Sequence, residues 1–313
     1  MRRNILHLFL YVFFIIIFDQ ASGFVCRYLN SHAKSGDTAK HYYIAEQCNE
    51  DILIFGSSRA EVTYDPLIIK DSLDLTAYNC GSANSSILLQ YGWLLMITRR
   101  YCPKMVILDM TTYFDIFESD DIGYIQPLKK FYDTPGIDSI FFHVSRKENM
   151  KMLSQLYRYN RYLPDMIVDN LTTDTSNYYL GFKPIFDTID YEPDPSDIVN
   201  EALVWDSIKK LYFQKFINIC RENGILLVVA YSPIYRAKSS IAYSEVTYYC
   251  QEHNIPLIDY YANPSFVSSR EWFADILHMN ANGGRQYTAE IIKILRNVLN
   301  DSIPQTSCKR TSL

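Results

Sequence analysis

Residues 51 to 60, DILIFGSSRA, decide the fold. Asp51 to Phe55 is a short run of apolar, β-prone residues ending at Gly56, the pattern of a parallel strand buried on both faces that runs into a tight turn. Four further runs have the same form: Leu75 to Asn79, Met105 to Asp109, Ile225 to Tyr231 and Pro256 to Tyr260. Between and after them, periodicity predicts helices over Pro66 to Ser72, Ser85 to Tyr101, Ile198 to Asn223, Ser239 to His253 and Asn282 to Leu299. Strands alternating with helices specify a parallel sheet covered on both faces, because each crossover returns across a face of the sheet. The expected fold class is α/β, a three-layer α/β/α sandwich on a five-stranded parallel sheet.

The 313 residues allow one large α/β domain or two small ones, at roughly 150 residues per domain. With 48% hydrophobic and 21% charged residues, the chain is neither disordered by composition nor a polytopic membrane protein. Thirty Lys plus Arg against 35 Asp plus Glu give a net charge of -5, without the basic excess that counterion release would reward, so nucleic acid is not an expected partner. The seven cysteines form no CxxC pair and do not cluster with histidine, which argues against a structural zinc site. Cys80, Cys102 and Cys220 lie in or beside apolar segments and read as small buried hydrophobes.

Arg2 and Arg3 precede Ile5 to Phe18, which is apolar apart from His7 and ends at Asp19. Residues 1 to 28 therefore read as a signal anchor or a signal peptide. At about 1.5 Å per residue the run spans about 21 Å against a hydrocarbon core of roughly 30 Å, so a full crossing must recruit Ala21 to Val25 and carry Asp19 near one end. Ala21-Ser22-Gly23 offers the small residues of a cleavage site as the alternative. In either case the arginines stay cytoplasmic and the domain faces the periplasm or the cell exterior, held to the inner membrane by one span or secreted after cleavage. Residues 29 to 50 read as a stalk turning helical near Ala39, residues 51 to 299 as the α/β domain, and residues 300 to 313 as a flexible polar tail.

Residues 110 to 224 separate the third and fourth strands, far more than a simple crossover of roughly 30 residues. A long insertion at about 112 to 197 must fill that gap. It holds Tyr113, Tyr124, Tyr132, Tyr157, Tyr159, Tyr162, Tyr178 and Tyr179, a helical stretch near Arg146 to Leu163, and the acidic loop Asp187 to Asp197. It reads as a lid against the sheet's carboxyl edge, or else as an extra helical layer away from any site.

Ligands of open parallel sheets bind beyond the carboxyl ends of the strands. Three segments fall there: Gly56-Ser57-Ser58-Arg59, Asn79-Cys80-Gly81-Ser82-Ala83-Asn84, and Asp275-Ile276-Leu277-His278 with Met279 to Gly284 behind it. In the first, glycine permits a tight bend and the serine hydroxyls project beside helix N–H groups. In the second, Gly81 would let backbone approach a ligand closely. Serine becomes a nucleophile when a base takes its proton, and histidine does so best when a carboxylate holds its other ring nitrogen. Asp275 and His278, three residues apart in a turn, can share one side and meet that need.

The motifs DILIFGSSRA, YNCGSAN and DILHMNANGGRQYT resemble those of the SGNH, or GDSL-like, hydrolase superfamily, over about residues 51 to 299 in outline. The resemblance implies a flavodoxin-like strand order 2-1-3-4-5, Ser58 as nucleophile, Asp275 as orienting carboxylate and His278 as base. It further implies an oxyanion hole from the N–H groups of Ser58 and Gly81, and no metal or organic cofactor. Two positions depart from the pattern. Ser57 stands where the family has aspartate, which leaves Ser57 as an alternative hydroxyl. The Gly-x-Asn-Asp after the third strand is missing, since that strand closes as Leu108-Asp109-Met110-Thr111-Thr112. Asn84 is the candidate replacement, with Thr111 or Thr112 behind it; loss of one such donor costs roughly 3 kcal/mol of transition-state stabilisation.

The layout looks like the membrane-anchored bacterial branch that acts in envelope polymer acylation, of the D-alanylation or alginate-acetylation type. The implied function is an extracytoplasmic serine esterase or O-acyltransferase, with an acylated envelope glycan or small ester as substrate. The alternative is a catalytically silent accessory protein of the same fold that binds a glycan or a membrane partner, and an envelope protein is a further candidate partner. Arg59 either binds an anionic substrate or pairs with a neighbouring carboxylate. Asp115 and Ser119-Asp120-Asp121 read as a solvated loop rather than a metal site. His7, His32, His41, His143 and His253 belong to no motif. Aromatics at 15%, mostly tyrosine, read as packing rather than a sugar groove.

Overall fold

A computed structural model describes residues 2–117, 119, 121–173, 179–192, 194, 198–199 and 201–301. Asp120, Tyr178, parts of the acidic loop and nearly all of the tail lie outside the described residues. The chain opens with helices α1 (Arg2–His32) and α2 (Gly36–Glu46) and then enters strand β1 (Ile52–Gly56). Helices α3 (Ser58–Thr63) and α4 (Pro66–Leu73) lead to β2 (Ala77–Asn79), and α5 (Ile87–Thr98) leads to β3 (Met105–Asp109). Short helices α6 (Thr112–Asp115), α7 (Asp121–Tyr124), α8 (Ile137–Val144), α9 (Arg146–Lys151), α10 (Gln155–Tyr159) and α11 (Leu163–Leu171) follow. The chain closes with α12 (Ser207–Glu222), β4 (Leu226–Tyr231), α13 (Ser244–Glu252), β5 (Leu257–Asp259), α14 (Pro264–Val267) and α15 (Ala281–Asp301).

All five strands are parallel in the order β2-β1-β3-β4-β5, as the SGNH resemblance implies. Every residue of β1 and β3 is buried, which is why neither strand alternates polar with apolar. Ile52, Ile54, Met105, Ile107, Val228 and Ala230 join Tyr64, Ile69, Tyr287, Ile291 and Leu295 in one core. On the opposite face Phe55 meets Phe216 of α12 edge-on, with ring centroids 5.7 Å apart. Helix α5, apolar almost all round, is buried there beside α12. Gly56 pairs with Asp109 and Asp109 with Ala230, so the strands end level. The connection from β1 runs to β2 on one side and that from β3 runs to β4 on the other, which makes the carboxyl ends of β1 and β3 the switch point where a crevice opens.

The chain forms two compact units. One holds the sheet with its covering helices, together with α6, α7 and the segment from Tyr179 to α12. The other holds α1, α2 and residues Ile125 to α11, so the stretch expected as one insertion divides between the units. In this second unit α1 is continuous through Asp19, and the large apolar side chains of Ile5–Phe18 are each at least 45% exposed. Beyond Asp19 the helix packs on α10 and α11, with Cys26 buried against Tyr159 and Met166. Residues expected as a stalk are helical on both sides of Ser35, whose hydroxyl bonds Thr172 Oγ1 at 2.7 Å.

Three predicted helices differ at their ends. The one read from Ile198 starts at Ser207, because Asp206 accepts from the amides of Ile208 and Lys209 at 3.0 and 2.9 Å and fixes the first turn there. The one read from Ser239 begins as a 3-10 turn and becomes α13 at Ser244. The stretch near Arg146 to Leu163 breaks into α9 and α10, each with a serine cap, Ser145 and Ser154. Cys26, Cys48, Cys80, Cys220 and Cys250 are buried thiols.

Candidate active site

The turn after β1 is built around Gly56. Its φ is +148°, and a Cβ there would stand 2.6 Å from the Asp109 carbonyl oxygen and 2.7 Å from the Ala60 side chain, so no other residue fits. The chain then starts α3 at Ser58, half-buried at the sheet edge. Ser57 faces inward at 1% exposure, its hydroxyl without a hydrogen-bond partner among the described residues. Of the two serines it is Ser58 that meets the histidine: its Oγ lies 2.8 Å from His278 Nε2.

His278 is held by its own loop. Ala274 N–H donates to the His278 carbonyl at 2.9 Å, and the amides of Leu277 and His278 donate to Asp275 Oδ1 at 2.8 and 2.9 Å. The same carboxylate lies 2.9 to 3.0 Å from His278 Nδ1. Burial would raise the Asp275 carboxyl, but the hydrogen bond and charge of His278 and the two amides hold it below the ordinary carboxylate value. An ionised carboxylate only accepts, so Nδ1 carries the proton and Nε2 presents its lone pair to Ser58.

The glycines behind His278 bring the two chain segments together. Asn280 Oδ1 accepts from Gly283 N–H at 2.9 Å and starts α15. A Cβ on Gly283 would lie 2.1 Å from the Trp272 carbonyl oxygen, and one on Gly284 would lie 2.7 Å from that of Thr63. Helix α15 thus rests directly on the backbone of α3, the helix that carries Ser58.

Arg59 turns into the interior and is 4% exposed. Its Nη2 donates to Ser232 Oγ at 2.8 Å and to the Ser232 carbonyl, and its Nη1 donates to the Tyr243 hydroxyl at 3.2 Å. Ser232 in turn donates to Asp109 from its hydroxyl at 2.8 Å and its amide at 2.9 Å, and Tyr64 adds a third donor at 3.1 Å. Burial opposes the Arg59 charge, yet the Tyr243 hydroxyl and Asp109 carboxylate beside it hold its pKa above the ordinary value. Burial raises the Asp109 carboxyl, while Arg59, Ser232 and Tyr64 pull it back. Of the two roles expected for Arg59, this geometry is the pairing one, with Ser232 as the bridge between the charges.

The oxyanion donors fall out differently from expectation. Gly81 N–H donates to Asn79 Oδ1 at 2.9 Å and is already engaged. The cause is Asn79, fully buried at the end of β2, whose Nδ2 donates to the carbonyls of Ala60 and Tyr64 at 2.8 and 2.9 Å and so aims its oxygen at Gly81. Asn84 is exposed in a left-handed turn conformation, φ +52°, and no described hydrogen bond joins it to Ser58 or His278. Thr111 donates from both its amide and its hydroxyl to Asp115 Oδ2, at 2.7 and 3.2 Å. Thr112 is buried at the start of α6. The α3 amide of Ser58 remains, at the N-terminal end of the helix.

Asp115 is not in a solvated loop. It is 3% exposed and also accepts from Ile87 N–H at 2.8 Å, capping α5. No cluster of three or more His, Cys, Asp or Glu side chains suited to a metal occurs among the described residues. His253 stacks on Tyr249 and His32 on Tyr28, each within its own helix end. Sequence reading missed the Arg59–Ser232–Asp109 link and the Asn79 clamp. Their only signal was a polar residue closing an apolar strand, Asp109 after MVIL and Asn79 after AY. No family model matches the chain, and no curated protein matches it.

Proposed function

We propose that the protein is a serine esterase or O-acyltransferase of the SGNH type. The observation that carries this reading is the unbroken relay from Asp275 through His278 to Ser58, with contacts of 2.9 and 2.8 Å. Ser58 Oγ attacks an acyl carbonyl while His278 Nε2 takes its proton. The tetrahedral intermediate collapses as Nε2 returns that proton to the leaving alcohol, which leaves an acyl-Ser58 ester. Water or a sugar hydroxyl, deprotonated by the same nitrogen, then resolves the ester. The Ser58 amide stabilises the oxyanion, and Asn84 is the candidate for a second donor. No step calls on a metal or organic cofactor.

We place the enzyme at the bacterial envelope, on acyl esters of glycans or related polymers. Helix α1 is the one described helix long and apolar enough to cross a membrane. The packing of its second half on α10 and α11 supports a retained anchor over a cleaved peptide, because cutting near Ala21 to Gly23 would separate Asp19 from Ser154, a contact of 2.6 Å. Arg2 and Arg3 put the chain beyond α1 on the outer side. The second reading, a catalytically silent accessory protein, draws on the engagement of Gly81 by Asn79. A panel of acetylated sugars and aryl esters tests the proposal: turnover by wild type that disappears in Ser58→Ala supports the enzyme, and no turnover across the panel favours the accessory role.

A further inference from the structure

The exposed apolar run of α1 ends at Asp19, and the protein meets that carboxylate with three donors. Ser154 Oγ donates at 2.6 Å, Gln155 N–H at 2.9 Å and Leu156 N–H at 3.0 Å. The turn between α9 and α10 is therefore fixed level with the last residues of the run. From there the contacts climb α1 in order. Arg27 Nη1 donates to Gln155 Oε1 at 3.0 Å, Cys26 packs on Tyr159 and Met166, and Asn170 Nδ2 donates to the Leu29 carbonyl at 2.8 Å. Helices α10 and α11 thus run beside α1 away from the apolar run, and the α9–α10 turn sits where that run ends.

Two large apolar side chains stand exposed here, one in the last turn of α9 and one in the turn that follows it. Met150 and Leu153 are 70% and 77% exposed. On α1 itself Phe24, Val25 and Tyr28 are exposed just past Asp19. Arg146, Lys147 and Lys151 of α9 are exposed, Lys151 pairing with Glu148 at 3.0 Å and Arg146 lying over the Phe142 ring. The span arithmetic says what covers these residues. Ile5–Phe18 reaches about 21 Å, about 9 Å short of the hydrocarbon core, and a short span draws flanking structure into the bilayer or thins it. At about 1.5 Å per residue the deficit carries the interface on to roughly Val25. A bare carboxylate at that depth would be costly, and the three donors on Asp19 relieve the cost.

We propose that the α9–α10 turn, together with Phe24, Val25 and Tyr28, enters the headgroup layer of a phospholipid bilayer as a second membrane contact beside the spanning helix. Met150 and Leu153 reach the acyl boundary, and Arg146, Lys147 and Lys151 lie at the level of the lipid phosphates. The inference rests on the reading of α1 as a retained anchor.

The test uses the full chain in lipid nanodiscs, spin-labelled in turn at Leu153→Cys, Met150→Cys, Phe14→Cys and Tyr248→Cys, all exposed positions. Collision rates with oxygen report lipid immersion, and those with a water-soluble nickel chelate report water. The expected result is a several-fold lower nickel rate at 153 and 150 than at 248, with the lowest at 14. Nickel access at 153 and 150 equal to that at 248, while 14 stays protected, overturns the second contact and leaves the anchor standing. Full nickel access at 14 overturns the anchor, and the second contact with it.

Discussion

Replacing Arg59 by methionine isolates the buried charge link under the Ser58 turn. The substitution keeps most of the side-chain volume but removes three hydrogen bonds, to Ser232 Oγ, the Ser232 carbonyl and Tyr243. It also leaves Asp109, with 0% exposure, without a countercharge. Taking one partner out of a buried pair costs about 3–5 kcal/mol, against about 0–1 kcal/mol for an exposed ion pair. At about 2–4 °C per kcal/mol for a unit of this size, melting by circular dichroism should fall by roughly 6–20 °C. The loss depends on pH in a definite direction. Burial already raises the Asp109 carboxyl in the wild type, and without Arg59 it rises further above the unfolded value of about 3.9. The folded variant then binds this proton more tightly than the unfolded chain. That contribution is complete below about pH 4 and disappears as pH climbs through the raised value, so the gap from wild type narrows in acid. Adding Asp109→Asn removes the orphaned charge and should recover more than half of the loss. A fall of less than about 1 kcal/mol, or a double variant less stable than Arg59→Met alone, refutes the link between the two charges.

Asp275→Asn removes the acceptor that keeps the proton on Nδ1. Ester kcat should fall about 10⁴-fold while melting stays near wild type, since the Asp275 side chain is 41% exposed. In Gly284→Ala the added methyl meets the Thr63 carbonyl at 2.7 Å, a backbone atom that cannot swing aside. Overpacking of about 1–3 kcal/mol therefore outweighs the gain of about 1 kcal/mol in helix propensity, and turnover should drop about 100-fold as α15 shifts from α3. Asp115 is held up at about 6 by burial, with Thr111, Lys209 and Ile87 opposing. Its proton stabilises the fold below the unfolded value of about 4, and that support is lost as pH rises through 6. Between pH 4 and 7, urea unfolding of wild type should lose on the order of 1–3 kcal/mol relative to Asp115→Asn.

The strands and the Asp275–His278 pair were legible because both depend on local pattern, whereas the meeting of Ser58 with His278, 220 residues on, was expected only from the resemblance of the motifs. Apolar runs closed by Gly56 or Asn79, and an Asp and a His three residues apart before a Gly-Gly helix start, carry their meaning within a few positions. What stayed hidden depends on partners far along the chain. Gly81 looked available as a donor until Asn79 was seen to be clamped by the carbonyls of Ala60 and Tyr64, a fold-level arrangement that turns the amide oxygen back on Gly81. Arg59 offered two roles from sequence, and only the position of Ser232, 173 residues on, decides which one its burial serves. The helix starts at Ser207 and Gln155 were set by Asp206 and Ser154, caps that a hydrophobic count passes over. Asp19 read as the end of an apolar run; that it caps α10 could not be read without the fold.

Treatment of the full-length protein with a fluorophosphonate, followed by mass mapping of the adduct, bears most directly on whether Ser58 is an activated nucleophile. A phosphonyl group on Ser58 in wild type, absent in Ser58→Ala and formed far more slowly in His278→Asn, is the predicted outcome. An unlabelled protein, or an adduct on Ser57 that persists in Ser58→Ala, would contradict it.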